Sequence, residues 1–514
     1  MTAPQPALIT ALLEPARYPH PVQRVDVVET HGAWVLLAGD QAYKIKKPMC
    51  LPFMDFSTLA LRRAACQAEV LLNRRFETAD PATHLYLDAL PIVGPVHDPG
   101  WGKLGKDDDR AIEWAVHMRR FNEDLRLDHL CARGALKPEH LQSLAQRMAA
   151  FQATAAVAPA NGPWGQTTDV LAFARDNIAT LRTGLKGAGD AALIDTLGTW
   201  TEAQAAQLGP LLAHRLATGR VREGHGDLHL ANLVLIGNAV VPFDGIEFNG
   251  ALRWIDVASD MAFAWMDLLD QGQSGLANGL LSDWLDASSD TAAPGVLPFF
   301  AVYRALVRAK VAVIRSTQTG ADTDACMNEV LGYVALARRI TRPPSPQLVI
   351  THGLSGSGKT WASSHWLQAE TSGRAIRLRS DVERKRLHGL SATQASGSGL
   401  NAGLYSPQSH TDTYAHLQDR TRHLLQTGWS VLVDAAFLRR HEREAFGELA
   451  NDLGCPFHIL ATEAPPDILR ERITQRQARG ADASEATVAV LEQQLGWLEP
   501  LTRAERTRCL PAAT

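Results

Sequence analysis

The sequence predicts a two-domain protein that joins an α+β part to an α/β part. Its 514 residues exceed what a single hydrophobic core usually supports. Three prolines within 341–346 (TRPPSP) interrupt a helical pattern and indicate a stiff linker. Before the linker, strand-like runs are followed by Ala/Leu-rich helical patterns, whereas a buried-type strand entering a glycine-rich loop follows it. We therefore expect domains at about 1–340 and 347–514.

The composition indicates an ordinary globular protein, with 46% hydrophobic and 21% charged residues and a formal net charge of −4. This balance gives no electrostatic reason to expect nucleic acid or an anionic membrane as a partner. The six cysteines are scattered without a C-x-x-C pair, so neither a disulfide framework nor a zinc site is indicated. The first twenty residues do not resemble a signal peptide, and no apolar run reaches membrane-spanning length. The expected location is the cytoplasm.

A sheet with one helix is predicted for residues 1–121. Strand-like runs cover 25–30, 33–38, 41–46 and 111–121, and a helical pattern begins near 55–58 and continues to about residue 76. The only acidic residue within that helix is Glu69, which lies among four arginines. Lys44 and Lys46 share one face of the run 41–46, so both are candidate ion-pair partners for Glu69. The alternative for Glu69 is a solvated surface position.

Residues 122–340 combine helices with one short hairpin. Helical patterns cover 138–155, 168–183, 190–216, 296–318 and 322–340. The segment 225–245 (HGDLHLANLVLIGNAVVPFDG) has two apolar runs joined by a Gly-Asn turn, which predicts a β-hairpin.

The polar residues around this hairpin suggest phosphoryl-transfer chemistry. Asp227 and Asn232 precede the hairpin, and Asp244 follows it. An aspartate can accept the proton of an attacking hydroxyl, while an asparagine and a second aspartate hold Mg²⁺ on the phosphates of ATP. A polar turn beside a surface hairpin is the simpler alternative.

The pattern H-G-D-x-H-x-x-N at 225–232, followed by Asp-Gly at 244–245, resembles the aminoglycoside phosphotransferase-like kinases. The resemblance implies a bilobal protein-kinase-like fold, with a small lobe at about 1–121 and a helical lobe at 122–340. The segment 46–76 is also similar to the start of bacterial phosphotransferase-like proteins that are fused to an ATP-binding domain. A glycine-rich phosphate loop of the protein-kinase type is not visible in 1–121, which is compatible with this family.

The resemblance also assigns expected roles. Asp227 would be the catalytic base, with Asn232 and Asp244 as metal ligands and Lys44 with Glu69 as the clamp on the ATP phosphates. Lys44 is favoured over Lys46 because Ala42 precedes it in the A-x-K pattern.

Three polar residues of the helical lobe receive more open assignments. For His229, contact with a nucleotide phosphate and a role in shaping the loop remain equally open. In the family, an aspartate at the position of Asp260 is architectural, and Asp256 remains unassigned.

The second domain opens with the most specific motif of the chain. The strand 347–352 leads into GLSGSGKT at 353–360, which satisfies G-x-x-x-x-G-K-[ST] in the expected context. Backbone N–H groups of such a loop wrap nucleotide phosphates, so the predicted ATP-binding residues are Gly353, Ser355, Gly356, Ser357, Gly358, Lys359 and Thr360. Thr360 and Asp434, which ends the apolar run 429–434, are the predicted Mg²⁺ ligands. A strand-end cap is the alternative for Asp434.

Two further segments complete this expected site. The run 379–384 (RSDVER) resembles the D-x-x-R of small P-loop kinases such as polynucleotide 5′-hydroxyl kinases, zeta-type toxins and gluconate kinases. That resemblance implies that Asp381 orients or deprotonates the acceptor hydroxyl and that Arg384 aids binding; a helix N-cap is the alternative for Asp381. The segment 468–480 resembles the lid of such kinases, whose arginines neutralise charge on the transferred phosphoryl group. Its arginines are Arg470, Arg472, Arg476 and Arg479, and we take Arg476 as the candidate catalytic residue among them. A solvated basic helix is the alternative.

Together these observations predict an ATP- and Mg²⁺-dependent kinase with two nucleotide-binding domains and a small-molecule hydroxyl acceptor. In one alternative, the P-loop domain is the main kinase, acting on a nucleotide or nucleic-acid end, and the first domain binds substrate. In the other, ATP hydrolysis drives a regulatory switch and no acceptor is phosphorylated. Neither domain has the basic excess that is typical of a nonspecific nucleic-acid binder.

Overall fold

The computed structural model describes residues 5–51, 54–185, 187–317, 322–392, 394, 403–479 and 486–511. Contacts group the chain into two compact units. The first comprises Met1–Arg147, Phe151–Ala172 and Gly209–Ala264; the second comprises Met148–Ala150, Phe173–Leu208 and Trp265–Thr514. The linker-based domain boundary at 341–346 stays a prediction.

Short strands occur throughout both units. They are β1 (Val25–Glu29), β2 (Ala33–Ala38), β3 (Gln41–Lys46), β4 (Cys50–Leu51), β5 (Met54–Asp55), β6 (Tyr86–Val93), β7 (Gly100–Trp101), β8 (Ala111–Arg119), β9 (Val221–Glu223), β10 (Leu233–Ile236), β11 (Ala239–Pro242), β12 (Trp254–Asp256), β13 (Leu348–His352), β14 (Ala375–Arg379), β15 (Ser430–Asp434) and β16 (Phe457–Ala461).

The α-helices alternate with these strands or form consecutive runs. They are α1 (Gln5–Leu12), α2 (Leu59–Asn73), α3 (Leu127–Ala132), α4 (Pro138–Thr154), α5 (Thr167–Gly184), α6 (Ala188–Ala217), α7 (Gly250–Arg253), α8 (Val257–Asp270), α9 (Ser274–Ser288), α10 (Leu297–Ser316), α11 (Thr323–Thr341), α12 (Lys359–Ala369), α13 (Ser380–Leu387), α14 (Pro407–Gln426), α15 (Arg440–Asp452), α16 (Pro466–Arg479), α17 (Val488–Trp497) and α18 (Arg503–Arg506). Within the described ranges, none of these helices has the length and apolarity needed to cross a bilayer.

The first unit contains a six-stranded antiparallel sheet in the order β1-β2-β3-β8-β6-β7. Helix α2 packs against β8 and β6 and begins after Thr58, whose Oγ1 accepts a hydrogen bond from Leu61 N at 3.2 Å. This N-cap satisfies an amide that the first helical turn leaves without an intrahelical partner. The arrangement places the acidic position of α2 over the central strand β3.

Strands β10 and β11 form the predicted hairpin around the turn at 237–238, where Gly237 adopts a positive φ of 59°. Val234 and Val241 of the hairpin are buried in one cluster with Ala42 and Val116 of the sheet. Burial of this apolar face fixes the hairpin beneath the sheet. The polar segments that precede β10 and follow β11 are thereby held beside β3.

The second unit contains a four-stranded parallel sheet in the order β14-β15-β13-β16. All residues of β13 and β15 are buried, which suits parallel strands covered on both faces. The ends of β13, β14 and β15 place the glycine-rich loop, the start of α13 and Asp434 at one edge of the sheet. Ligands of open α/β sheets bind at this carboxyl edge.

Helix α9 covers the edge strand β14 through two side chains. Asn278 Oδ1 accepts a hydrogen bond from Ala375 N at 2.9 Å, and Ser282 Oγ accepts one from Arg377 N at 3.1 Å. Both acceptors are fully buried. They therefore replace the neighbouring strand that the outer edge of β14 lacks.

Candidate functional sites

The first candidate site centres on the lysines of β3 and the glutamate of α2. Lys44 Nζ lies 2.9 Å from Glu69 Oε1 and also pairs with Asp244. Lys46 Nζ lies 2.6 Å from Glu69 Oε2 and pairs with Glu247. Glu69 is thus shared by both candidate lysines, while its side chain is fully buried. The Lys44 side chain is 16% exposed and that of Lys46 only 2%, so Lys44 is the one a ligand reaches more readily.

Burial and charge act in opposite directions on these groups. Burial lowers the pKa of Lys44, but Asp244 and Glu69 outweigh it and hold the pKa well above its usual value. Burial raises the pKa of Glu69, but the two lysines outweigh it and leave that pKa lowered. The pKa of Glu247 remains raised, because burial exceeds the effect of Lys46. The lysine–carboxylate network is therefore charged at neutral pH around Glu69.

The loop that carries Asp227 is fixed by Asp260, whose Oδ2 and Oδ1 accept hydrogen bonds from His225 N and Gly226 N at 2.8 and 2.9 Å. Asn232 Nδ2 donates to Asp227 Oδ2 at 3.0 Å, and His229 Nε2 lies 3.3 Å from that same oxygen. The predicted base, one predicted metal ligand and His229 are therefore brought together. Asp260 contacts the backbone of the loop, as an architectural residue would.

The third polar position, Asp244, has a left-handed backbone with φ of 60°. Its amide donates to the hydroxyl of Tyr86 at 2.9 Å, and the next amide, Gly245 N, donates to Asn73 Oδ1 at 2.8 Å. Because such a conformation is costly for a residue with a side chain, these two bonds hold it in place. Asp244 is 43% exposed at its side chain and faces Lys44.

Asp256, which the sequence leaves unassigned, is buried in an ion pair. Arg215 Nε and Nη2 each donate to its carboxylate at 2.7 Å, and Ala258 N donates to Asp256 Oδ1 at 2.8 Å. These contacts make Asp256 a structural residue that joins α6 to the start of α8.

The oxygen donors of this site suit Mg²⁺ only together with a nucleotide. Asn232 and Asp244 supply an amide oxygen and a carboxylate, the hard donors that Mg²⁺ prefers. Among the described residues, no three His, Cys, Asp or Glu side chains converge in a way that could hold a metal alone. Mg²⁺ is usually held by one or two protein groups together with phosphates and water, so Asn232 and Asp244 could hold it beside a bound nucleotide.

The second candidate site is the glycine-rich loop between β13 and α12. Gly356 and Gly358 adopt positive φ angles of 83° and 95°, which turn the backbone back on itself. Lys359 Nζ donates to the carbonyl oxygens of Gly353 and Leu354 at 2.9 and 2.8 Å, so it folds across its own loop. Burial lowers the pKa of Lys359 to about 8, an effect that Asp434 and Asp381 only partly oppose.

The other predicted residues of this loop lie around it. Ser357 Oγ is 2.7 Å from Thr462 Oγ1, and Ser363 Oγ donates to Asp434 Oδ2 at 3.1 Å. Thr360 and Asp434 line the same cavity, in the first turn of α12 and at the end of β15. The backbone cradle and the Thr–Asp pair of oxygen donors fit a magnesium–nucleotide complex.

A cavity of about 690 Å³ joins the loop to the other predicted residues of the second unit. It is lined by Ser355, Gly356, Gly358, Lys359, Thr360, Asp381, Arg384, Asp434, Arg472 and Arg476, among others. Arg384 Nη1 lies 3.3 Å from Asp381 Oδ1. Helix α13 begins at Ser380 with Arg379 as N-cap residue, so the alternative assignment of Asp381 as the N-cap is wrong. Asp381 lies in the first turn and reaches the cavity instead.

The predicted lid is helix α16. Arg472 Nη1 donates to Gly356 O at 3.3 Å, and Arg476 Nη2 donates to Ala486 O at 3.1 Å. Arg470 pairs with Glu492 at 2.9 Å, away from the cavity lining. The side chain of Arg479 lies outside the described residues.

Gln494 was not anticipated from the sequence. Its Oε1 accepts a hydrogen bond from Ser355 N at 2.8 Å, so a side-chain oxygen of α17 occupies an amide of the phosphate-binding loop. Ser355 and Gln494 are 139 positions apart, and a glutamine within a helical pattern belongs to no motif that would predict their contact.

The far wall of the cavity contains a second unanticipated group. The guanidinium of Arg439 lies 4.9 Å from the centroid of the Trp497 ring, and His410 Nε2 lies 2.8 Å from Glu442 Oε1. Tyr414, also in the lining, accepts a hydrogen bond from Phe437 N at 3.1 Å. The sequence could have indicated Arg439, because it follows soon after Asp434 at the end of β15 and residues that follow a parallel strand lie at the ligand-binding edge of the sheet.

Known proteins are similar to this chain in part or over most of its length. Residues 348–501 match a family model described as an AAA domain. Uncharacterized proteins of Mycobacterium tuberculosis and Mycobacterium bovis are each 29% identical over 482 residues, covering 93% of this chain and 92% of theirs.

Solved structures are also similar to parts of the chain. A choline/ethanolamine kinase family protein from Mesorhizobium loti is 12% identical, covers 66% of this chain and 95% of its own, and has a TM-score of 0.39. Amicoumacin kinase hAmiN is 12% identical, with coverages of 66% and 93% and a TM-score of 0.41. A sugar kinase from Janibacter sp. HTCC2649 is 22% identical, with coverages of 32% and 83% and a TM-score of 0.24.

The fold prediction is confirmed. The N-terminal part has a protein-kinase-like fold, with its antiparallel sheet, lysine–glutamate pair and loop before a hairpin, and the C-terminal part is a P-loop α/β fold. This combination supports a phosphotransferase activity in general.

Proposed function

We propose that the protein is an ATP- and Mg²⁺-dependent phosphotransferase that phosphorylates a hydroxyl group of a small molecule. Both the Lys44 site and the P-loop site would bind nucleotide. The observation that carries the proposal is the cavity in which Lys359, Asp381, Asp434 and Arg476 meet. A phosphate-binding lysine, a carboxylate for the acceptor, a metal ligand and a cation for the transferred group are the parts that phosphoryl transfer needs.

At the P-loop site, the loop amides would hold the phosphates and Lys359 would leave its carbonyl contacts to reach them. Asp381 would accept the proton of the acceptor hydroxyl as its oxygen forms a bond to the γ-phosphorus. The bond from that phosphorus to the bridging oxygen breaks, and ADP leaves with the electron pair. Bound Mg²⁺ would neutralise phosphate charge, with Thr360 and Asp434 as its protein ligands. Arg476 would balance charge on the transferred group.

At the first site, the same reaction would use Asp227 as the proton acceptor. Lys44 would contact the ATP phosphates while Glu69 holds it in position at 2.9 Å. Asn232 and Asp244 would be the metal ligands. Because Lys44 pairs with Asp244, nucleotide binding would exchange that pair for contacts to phosphate and metal.

The experiment compares Asp227→Asn, Asp381→Asn and the double variant for transfer of labelled phosphate from ATP to a panel of hydroxyl compounds. Loss of a catalytic carboxylate should reduce transfer at its own site by about 10²–10⁴-fold. Asp412→Asn, an exposed position on α14, is the matched control. Undiminished transfer by the double variant would refute the proposal.

A second candidate function makes the P-loop site the main kinase and the first domain a substrate-binding module. The observation in its favour is that Lys44 is already neutralised by two carboxylates, whereas Lys359 contacts carbonyl oxygens. Under this candidate, Asp227→Asn leaves transfer unchanged and Asp381→Asn abolishes it. ATP hydrolysis that depends on Lys359 but labels no acceptor would favour a switch instead.

A further inference from the structure

The cavity of the P-loop site extends beyond the groups that phosphoryl transfer requires. Its wall includes Arg439, Trp497, His410 and Glu442, to which the mechanism above assigns no role. These residues come from the start of α15, from α17 and from α14, so three helices supply one wall. A wall of this kind suits recognition of the acceptor, since the reacting groups lie elsewhere in the same cavity.

The charges of the lining favour an anionic molecule. Among the described residues, the cationic side chains in the lining are Lys359, Arg379, Arg384, Arg439, Arg472 and Arg476, and the carboxylates are Asp381, Asp434 and Glu442. Lys359, Arg472 and Arg476 lie on the phosphate loop or on α16, which contacts it. Of the other three arginines, Arg384 lies 3.3 Å from Asp381 and Arg379 interacts with the carboxylate of Asp286, so Arg439 is the cation to which the reaction gives no role.

Arg439 is the member of this set that is held by an aromatic ring. Its guanidinium lies over Trp497 at 4.9 Å from the ring centroid. A guanidinium held over an aromatic ring keeps the N–H donors that do not face the ring available for a carboxylate or a phosphate.

Glu442 does not cancel this cation by direct pairing of the side chains. Its Oε1 lies 2.8 Å from His410 Nε2, and its Oε2 accepts from the backbone amide of Arg439 at 3.3 Å. The glutamate is 7% exposed, and both of its carboxylate oxygens are engaged in these contacts.

We propose that the acceptor carries an anionic group, a phosphate or a carboxylate, in addition to the hydroxyl that is phosphorylated, and that Arg439 binds this group from its platform on Trp497. The inference rests on the proposed function, because it names the class of acceptor for the P-loop site. Arg439 is a specificity-determining residue in this scheme, and Asp381 acts on the hydroxyl at the other end of the molecule.

The test uses the full chain saturated with Mg²⁺ and a non-hydrolysable ATP analogue, so that the phosphate loop is already filled. Binding is measured by calorimetry for a matched set of glucose, glucose 6-phosphate, gluconate and glucosamine, and for adenosine against adenosine 3′-monophosphate. In at least one set, the anionic member should bind about tenfold tighter than its neutral parent, the effect of one charge-assisted contact. The phosphate and carboxylate members show which anion is preferred.

Variants assign the effect to the cavity wall. Arg439→Gln should remove the preference and raise KM for an anionic acceptor by about tenfold with little change in kcat, and Arg439→Lys should restore part of it. Arg440→Gln is the matched control, because that neighbouring arginine is exposed and pairs with Glu444. A structural role of Arg439 alone would instead lower stability without the KM effect.

The outcomes separate this inference from the proposed function. Preference for the neutral or amine member in every set, or anion binding that survives Arg439→Gln, overturns the inference. Arg439-dependent anion binding without phosphorylation of any bound compound supports the anion site and refutes the proposed function. Phosphorylation of hydroxyl compounds without a preference for anionic ones supports the proposed function and overturns the inference of an anion site.

Discussion

The two candidate sites each contain a buried lysine, but they stabilise it in different ways. Lys44 shares Glu69 with Lys46 and also contacts Asp244, so carboxylates surround the lysines of the first site. Lys359 has two carbonyl oxygens of its own loop as hydrogen-bond acceptors. Consequently the pKa of Lys44 is raised well above its usual value, whereas burial lowers that of Lys359 to about 8.

The charge of Lys44 is stabilised by carboxylates of the protein, whereas the charge of Lys359 would be stabilised by a bound ligand. In the first site, removing one partner leaves buried carboxylates uncompensated, which is costly. In the P-loop, burial disfavours the charged form of the lysine, and a bound phosphate would supply the opposite charge.

Lys46→Met should destabilise the first unit by about 3–5 kcal/mol, because the buried Glu69 and Glu247 lose a shared cation. Denaturant unfolding followed by a probe in the first unit measures this change. Lys47→Met is the control, since Lys47 pairs with the exposed Glu29. A loss no larger than that of the control would show that the network does not stabilise the fold.

Lys359→Met should cost little stability, because burial already disfavours the charge of Lys359. Its hydrogen-bond acceptors are carbonyl oxygens, so the substitution leaves no buried carboxylate without its cation. It should nevertheless reduce turnover at the P-loop by about 10²–10³-fold through loss of phosphate stabilisation. Unfolding and ATP turnover are measured on the same preparation. A stability loss similar to that of Lys46→Met would contradict the comparison.

Glu69→Gln should reduce turnover at the first site by about tenfold, because the clamp on Lys44 loses its charge. ATP binding at the P-loop should not change. Turnover is compared in an Asp381→Asn background, which isolates the first site. Unchanged turnover would mean that the Lys44–Glu69 pair has no role in positioning the nucleotide.

The pH dependence of ATP binding should differ between the sites. Phosphate favours the protonated form of Lys359, whose free pKa is about 8. Affinity at the P-loop should therefore fall by up to about tenfold per pH unit above that value, with proton uptake on binding. Affinity at the first site should stay level, because the pKa of Lys44 is raised. Calorimetry in buffers of different ionisation enthalpy measures the uptake; equal pH profiles at the two sites would contradict the assignment.

Gln494→Ala should increase ATP affinity at the P-loop by a few fold, because it frees Ser355 N for phosphate and removes one competing hydrogen bond. Gln475→Ala on the exposed face of α16 serves as the control. Weaker ATP binding in Gln494→Ala would show that the glutamine supports the nucleotide instead of competing with it.

Local patterns in the sequence predicted both folds and most of the residues that the structure brings together at the two candidate sites. The run A-x-K, the helix with one glutamate and the hairpin turn each depend on neighbours a few residues away. Glu247 escaped prediction because its contact with Lys46 spans 201 residues and follows from tertiary packing. The same reason applies to Gln494 and Ser355, and to the stacking of Arg439 on Trp497.

Asp256 illustrates a different limit. Asp256 is the last residue of β12 and Asp260 lies in the first turn of α8, yet Asp260 holds the loop of Asp227 whereas Asp256 pairs with Arg215. Only the partner distinguishes them, and the partner lies 41 residues earlier in the chain. Residue type and spacing predict that a carboxylate is present, whereas its environment determines what the carboxylate does.

The hydrogen bonds from β14 to α9 also matter for the order in which the chain folds during synthesis. Asn278 and Ser282 precede their amide partners in the chain by 97 and 95 residues, so the ribosome releases α9 well before the strand that it covers. A parallel sheet assembles slowly and exposes its edges while it does so. In this protein the outer strand can dock on a helix that has already emerged, so its open edge is covered as soon as the strand forms.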